Sequence, residues 1–386
     1  MIRAYLDNNA TTKPAPSVVA AMCEHLEHHY LNSSSAAGRV LLGHADPIAQ
    51  AKRAIGRLLG SADIAEGIVI TSGASEANSW AVFGATHGRT SGHLVASQVE
   101  HPSLRRAVDA ARERGLDATS VAVDGNGRID EESFRSALRP DTCLVSVMLA
   151  NNETGVVQPV ARLSRIVREV CPDAIIHCDA TCGVGREPID LDGSLEQVDL
   201  LSLSGHKFHG PKGIGALYIR PGIVMPAMIH GEQDEGLRGG TFNTPAAAGI
   251  AEAARLALER RASIANVALL RDELEAGILS LAPASRINGL GADRLANTSS
   301  VTIRGLDASA AVDSLAMSGI CVATGSACSS GASSPSPVLL AMGLSYSDAL
   351  STLRFSLSSD TTREEIDLTI EAMHALLSSH EVRAAV

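Results

Sequence analysis

Apolar strand-like runs and helical segments alternate from Ile68 to Ile219, and no other feature of this chain constrains its fold as strongly. Ile68–Thr71 reads as a β-branched strand, Ser72-Gly73 breaks it, and Ala74–Phe83 reads as a helix. The pattern continues through a strand at Leu94–Ser97, a helix after His101-Pro102, a strand at Thr119–Val123, a helix from Asp130 to Leu138 and a strand at Cys143–Leu149. Apolar runs at Ala174–Cys178, Val198–Leu203 and Ala216–Ile219 extend it. Strands and helices alternating at this spacing predict an α/β fold with a mainly parallel sheet covered by helices. Ligands in such sheets lie beyond the carboxyl ends of the strands.

Polar clusters fall at those ends. The strand-turn-helix at residues 68–83 aims the unpaired N–H groups of Ala74 and Ser75, with the Ser75 hydroxyl, at one point that suits a phosphate. Glu100-His101, Asn151-Asn152-Glu153 and Asp179-Ala180-Thr181-Cys182 follow three further strands. Each is also compatible with ordinary turn and capping chemistry. The run through Ser204-Gly205-His206-Lys207 places a lysine at a strand end, before a Gly-Pro-Lys-Gly-Ile-Gly turn. A partly desolvated lysine there is a candidate Schiff-base former.

The flanking regions differ in character. A short strand and polar turn at Tyr5–Thr12 precede a helix started by Pro14 and Pro16, and Asp46-Pro47 begins an amphipathic helix that ends at Leu59-Gly60. A polar, glycine-rich segment, Gly231–Thr241, leads to one long Ala-rich helix from Pro245 to about Leu281. Strands at Val301–Ile303 and Leu353–Leu357, with helices at Ser309–Met317, Pro337–Met342 and Thr362–Leu377, predict a smaller α+β domain. The expected division is 16–255 for the large domain, and 1–15 with 256–386 for the small one. Eleven small residues, Thr324–Ser334, surround Cys328. Their composition predicts an exposed, mobile loop in which only an accessible thiol can act as a nucleophile.

Composition narrows the classes of function. The seven cysteines include no Cys-x-x-Cys pair, so neither a disulfide framework nor a metal site is expected. A net charge of −11 argues against direct binding of nucleic acid or an anionic membrane. No membrane span or signal peptide is read, and a cytoplasmic protein is expected.

Together the motifs resemble those of the cysteine desulfurases, pyridoxal-phosphate enzymes that remove sulfur from L-cysteine. Within them the chain is similar to the group with a long nucleophile loop that serves nitrogenase and general iron–sulfur assembly. The matching segments are Leu6-Asp7-Asn8, Thr71–Glu76, Glu100-His101, Asn151–Gly155, Asp179-Ala180-Thr181, Ser204–Lys207 with the turn after it, Arg238–Thr241, Gly325–Cys328 and Leu353–Ser356. The resemblance implies a pyridoxal-phosphate-dependent transferase of the aspartate-aminotransferase-like fold (fold type I), working as a homodimer. It implies that Lys207 holds the cofactor, Asp179 pairs with the pyridinium nitrogen, and His101 stacks on the ring and helps proton transfer. Ala74, Ser75, Ser204 and His206 would hold the phosphate, and Thr241 would reach it across the dimer. Asn152 would contact the ring hydroxyl or the substrate, Arg354 would bind the cysteine carboxylate, and Cys328 would take the sulfur as a persulfide. The acceptor would be an iron–sulfur scaffold, a tRNA-thiolation protein or a DNA-phosphorothioation protein.

The chain departs from the family pattern in three places. Cys182 stands where a glutamine normally bonds the ring hydroxyl, a contact a thiol makes only weakly; a small buried filler is the other reading of Cys182. Asn32–Ala37 is a degraded asparagine-proline-serine-serine segment, and Glu232 and Glu235 replace a glycine and a basic residue. A selenocysteine lyase, a same-fold aminotransferase and a docking scaffold with a vestigial cofactor site are the alternative functions.

Overall fold

The computed structural model describes residues 1–42, 46–325 and 334–384, so Cys328 lies outside the described residues. In chain order the strands are β1 (Ala4–Tyr5), β2 (Ile68–Thr71), β3 (His93–Ser97), β4 (Asp117–Val121), β5 (Thr142–Met148), β6 (Ile175–Asp179), β7 (Leu200–Ser204), β8 (Gly215–Ile219), β9 (Arg286–Ile287), β10 (Thr298–Thr302), β11 (Ile320–Cys321), β12 (Ala323–Thr324) and β13 (Thr352–Ser356). Seven of them make one sheet, ordered β2-β8-β7-β6-β5-β3-β4. All pairings among β4, β3, β5, β6 and β7 are parallel, while β8 runs against both of its neighbours. The reversal follows from chain length: residues 205–214 are fewer than the roughly dozen a parallel crossover needs.

Burial follows from this topology. Every residue of β5 and of β7 is buried, as expected of strands covered on both faces. β4 closes one edge and is partly exposed. The helices Ala74–Ala85, Pro102–Glu113, Glu131–Ala137 and Val160–Val170 follow β2, β3, β4 and β5 in turn. Asp46 caps Pro47–Leu58 by accepting the Ile48 N–H at 3.0 Å, and Gly60 leaves that helix at φ +118°.

A second, antiparallel sheet has the order β12-β13-β10-β9, and β1 pairs in parallel with β11 beside it. One apolar cluster runs from Ala15 to Ala257 and includes the inner residues of the parallel sheet. Another gathers Ala4 and Leu6 with residues from Val267 to Leu376. The first residues of the chain are therefore built into the core of its last third.

The single helix expected from Pro245 to Leu281 is two, Thr244–Glu259 and Ile264–Leu281, joined by a 3-10 turn over Arg260–Ser263. The Ser263 hydroxyl donates to the Arg260 carbonyl at 2.7 Å, a local bond that competes with helix propagation. Arg260 and Arg261 are drawn off the helix toward Asp360 and the Leu58 carbonyl. Among the described residues no helix is long and apolar enough to cross a membrane.

The N-terminal arm leaves β1 and crosses between the two sheets. Asn9, 1% exposed, donates from Nδ2 to the Asn152 carbonyl (3.0 Å) and Thr298 Oγ1 (2.9 Å), and its Oδ1 accepts from Asn297 Nδ2 (3.1 Å). Replacing Asn9 by alanine strands these buried partners, at a cost of roughly 2–4 kcal/mol. The expected outcome is a clearly lower urea midpoint for Asn9→Ala, and an unchanged midpoint would show that the arm fastens nothing.

Candidate active site

Beyond the carboxyl ends of the parallel strands lies a cleft of about 490 Å³. Ala74, Ser75, His101, Asn152, Asp179, Cys182, Ser204, His206, Lys207 and Arg354 all line it, as does the arm at Asn9, Ala10 and Thr11. Ten of the twelve expected site residues thus meet in one place. Thr241 is exposed and does not line the cleft of its own chain.

One end is built to receive an anion. Gly73 has φ +149°, a conformation that side chains disfavour, and it begins helix Ala74–Ala85. A Cβ on Gly215 would lie 2.4 Å from the Leu203 carbonyl and 2.7 Å from Gly73 Cα, so the loop packs backbone to backbone on β8. The N–H groups of Ala74 and Ser75 belong to the first turn and have no intrahelical acceptor. Glu76, in the same first turn, also lines the cleft, but its carboxylate is already paired. It accepts the Ser72 N–H at 2.8 Å and both Nε and Nη2 of Arg238 at 3.0 and 3.2 Å. Burial opposes its charge, but the bonds from Arg238 and Ser72 prevail and hold it below the usual carboxylate range. Ser204 and His206 complete this end. Burial, with Lys207, Lys212 and Arg186 nearby, pushes His206 down to about 4, so it is a neutral imidazole.

The other end is organised by Asp179, the last residue of β6 and 3% exposed. Its Oδ2 accepts from Asn78 Nδ2 at 2.7 Å and its Oδ1 from the Thr181 N–H at 3.0 Å. His101 stands at the start of helix Pro102–Glu113, where its Nδ1 accepts the Ser103 N–H at 3.1 Å. Glu100 does not join it. That carboxyl is buried against β5, with Oε1 accepting the Ser97 hydroxyl (2.6 Å) and the Met148 N–H (2.9 Å). Burial, helped by Asp179, pushes Glu100 up to about 8, so it is protonated at neutral pH.

Lys207 occupies the 3-10 turn Gly205–Lys207, and its Nζ donates to the Asn9 carbonyl and, at 3.1 Å, to that of Ala10. Arg354 rises from β13 with 2% exposure. Its Nη2 donates to Asp7 Oδ1 at 2.7 Å and its Nη1 to the Asn152 carbonyl at 3.3 Å. Among the described residues Arg354 Nε is buried without a hydrogen-bond partner, as is Thr181 Oγ1 on the cleft wall. Cys182 packs with Ala150 and Leu295, while its carbonyl accepts from the half-buried Arg186 at 3.0 Å.

The Aminotransferase class-V model matches residues 4–369. The chain belongs to the class-V aminotransferase family. A cysteine desulfurase of Cereibacter sphaeroides is 43% identical over 97% of the chain and 95% of that relative. The structure of a NifS-like protein superposes with a TM-score of 0.89 at 32% identity, covering 98% of this chain and all of that one. SspA in complex with cysteine gives 0.80 at 32% identity, over 93% of this chain and 100% of the other. The class-V chain has the expected fold-type-I architecture.

Sequence reasoning placed Asp7 in a matching motif without giving it a role, and passed over Asn9, Asn78, Ser103 and Arg186. Glu76 at the third position of its helix was the legible signal for the cap. Asp7, Asn9 and Asn78 act across long sequence separations, with Asn78 and Asp179 101 residues apart and Asp7 and Arg354 347 apart.

Protonated Glu100 makes stability depend on pH. Its folded pKa is raised, so its contribution is fully present below the unfolded value and lost as pH rises through about 8. Glu100→Gln keeps both acceptor contacts and removes the titration. Denaturation midpoints from pH 5 to 8 should fall for the wild type and stay flatter for Glu100→Gln; parallel curves would refute the assignment.

Proposed function

We propose that the protein is a pyridoxal-phosphate-dependent cysteine desulfurase. It converts L-cysteine to L-alanine and passes the sulfur, as a persulfide of Cys328, to an acceptor protein for iron–sulfur assembly or sulfur modification of nucleic acid. The supporting observation is that one cleft combines a glycine-backed helix N-terminus, a buried carboxyl, a lysine and an arginine whose Nε has no partner among the described residues. These fit the cofactor's phosphate, ring nitrogen and aldehyde and the substrate's carboxylate, respectively. The unpartnered Thr181 hydroxyl is a further group awaiting a ligand on the cleft wall.

Ala74, Ser75, Ser204 and His206 would hold the phosphate, and Thr241 would reach the cleft of a second subunit in a homodimer. Asp179 would face the ring nitrogen, and Asn152 and Cys182 the ring hydroxyl. When bound, pyridoxal phosphate supplies an electron sink that stabilises negative charge at the substrate Cα. Arg354 grips the L-cysteine carboxylate through its remaining donors, with Asn152 beside it. The Lys207 amine takes the Cα proton, and His101 offers a hydrogen bond to the reacting centre. The Cys328 thiolate attacks the substrate sulfur, so an S–S bond forms as the substrate Cβ–S bond breaks. Protons returned to Cβ and Cα complete alanine. The acceptor protein then takes the terminal sulfur in the cytoplasm.

Cys328→Ser should lower alanine and sulfide formation from L-cysteine by at least roughly 100-fold while cofactor binding persists; a wild-type rate would overturn the assignment. Arg354→Ala should raise KM for L-cysteine roughly 10- to 100-fold, the worth of charge-assisted hydrogen bonds. Cys182→Gln should shift the visible band of the bound cofactor, and an unchanged spectrum would place Cys182 out of contact with it.

A further inference from the structure

Asp179 and His101 are joined by a hydrogen-bonded path that the assigned roles do not use. Asn78 Nδ2 lies 2.7 Å from Asp179 Oδ2 and 3.0 Å from Ser103 Oγ, and Ser103 Oγ lies 2.8 Å from His101 Nδ1. The short contact with the Asp179 carboxyl fixes which end of the Asn78 amide carries hydrogens. The same NH₂ therefore donates to Ser103 Oγ. With its oxygen accepting, the Ser103 hydroxyl has its own hydrogen free for His101 Nδ1.

The Nδ1 lone pair thus receives two donors, the Ser103 hydroxyl and the Ser103 N–H at 3.1 Å. A proton on Nδ1 would face both of them and the positive end of the twelve-residue helix Pro102–Glu113. Histidine is an unusual N-cap, since serine, threonine, aspartate and asparagine predominate there. The capping bond and the relay converge on the same nitrogen.

We propose that Ser103, supported by Asn78, is a positioning residue that locks His101 as the neutral Nε2–H tautomer and fixes its ring orientation. Proton traffic and hydrogen bonding to the reacting centre then pass through Nε2 alone. The ring's other charged neighbours come from three elements: Asp179 at the end of β6, Lys207 in the turn after β7, and Arg105 on its own helix. Burial, Lys207 and Arg105 favour the neutral ring and Asp179 opposes them, with a net downward shift. What His101 does in turnover rests on the desulfurase reading, whereas its tautomer does not.

The test is nitrogen-15 NMR of histidine-labelled full-length protein, titrated in the absence of L-cysteine, for wild type, Ser103→Ala and Ser103→Thr. The wild-type His101 should show an unprotonated Nδ1 and a protonated Nε2. Ser103→Ala should mix the tautomers and raise the titration midpoint by roughly 0.5–1 pH unit, the worth of one hydrogen bond. Ser103→Thr, which keeps the hydroxyl, should track the wild type. A proton on Nδ1 in the wild type overturns the proposal, whether or not the variants fold. So does a Ser103→Ala spectrum identical to wild type. Because no turnover is read, failure of L-cysteine as a substrate would sink the functional reading and leave this result standing.

Discussion

The site depends on a strap of six residues, Asp7 to Thr12, hydrogen-bonded to both sheets. Asp7 pairs with Arg354, Asn8 Nδ2 donates to the Ser356 carbonyl at 2.9 Å, and Asn9 binds Asn152, Thr298 and Asn297. On the other side the Asn9 and Ala10 carbonyls receive Lys207, and the Thr12 N–H and hydroxyl both donate to the His206 carbonyl at 2.9 Å. The lysine from the parallel sheet, through the Asn9 and Ala10 carbonyls, and the arginine from the antiparallel one, through the Asp7 side chain, are thereby fastened to the same short arm. Their separation is set by this arm, not by the longer path through the two cores.

Burial sorts charge in the cleft and in the sheet behind it. Glu100 is protonated and His206 neutral at pH 7. Burial likewise holds His177 below its ordinary value, between the Ser146 and Ser202 hydroxyls at 2.7 and 2.8 Å. Glu76 keeps its charge but spends it on Arg238. At the helix N-terminus the first-turn carboxylate, Glu76, is thus already paired, while Lys207, Lys212 and Arg354 bias the cleft toward anionic ligands.

Much of this was legible in the sequence, for physical reasons that can be named. Strand-helix alternation is a local pattern, so the parallel sheet and the polar clusters at its strand ends could be read directly. The family resemblance then assigned roles to Lys207, Asp179, His101 and Arg354, and the fold brings those four to one cleft. Tertiary effects were not legible. The break at Arg260–Ser263 depends on partners at Leu58 and Asp360, and the separation of Glu100 from His101 depends on which way a strand end turns. Asp7 and Asn78 look like ordinary turn and helix residues until the fold sets them beside Arg354 and Asp179. Cys328 and its surroundings lie outside the described residues.

The central claim is that Lys207 is the lysine that carries the cofactor. Cofactor-loaded protein would be reduced with borohydride and digested, and the pyridoxyl label located by peptide mass spectrometry. The chain offers four lysines, Lys13, Lys52, Lys207 and Lys212, of which Lys207 and Lys212 line the cleft. The account predicts the label on Lys207 alone. A label on Lys212, or no label on any lysine, would contradict it.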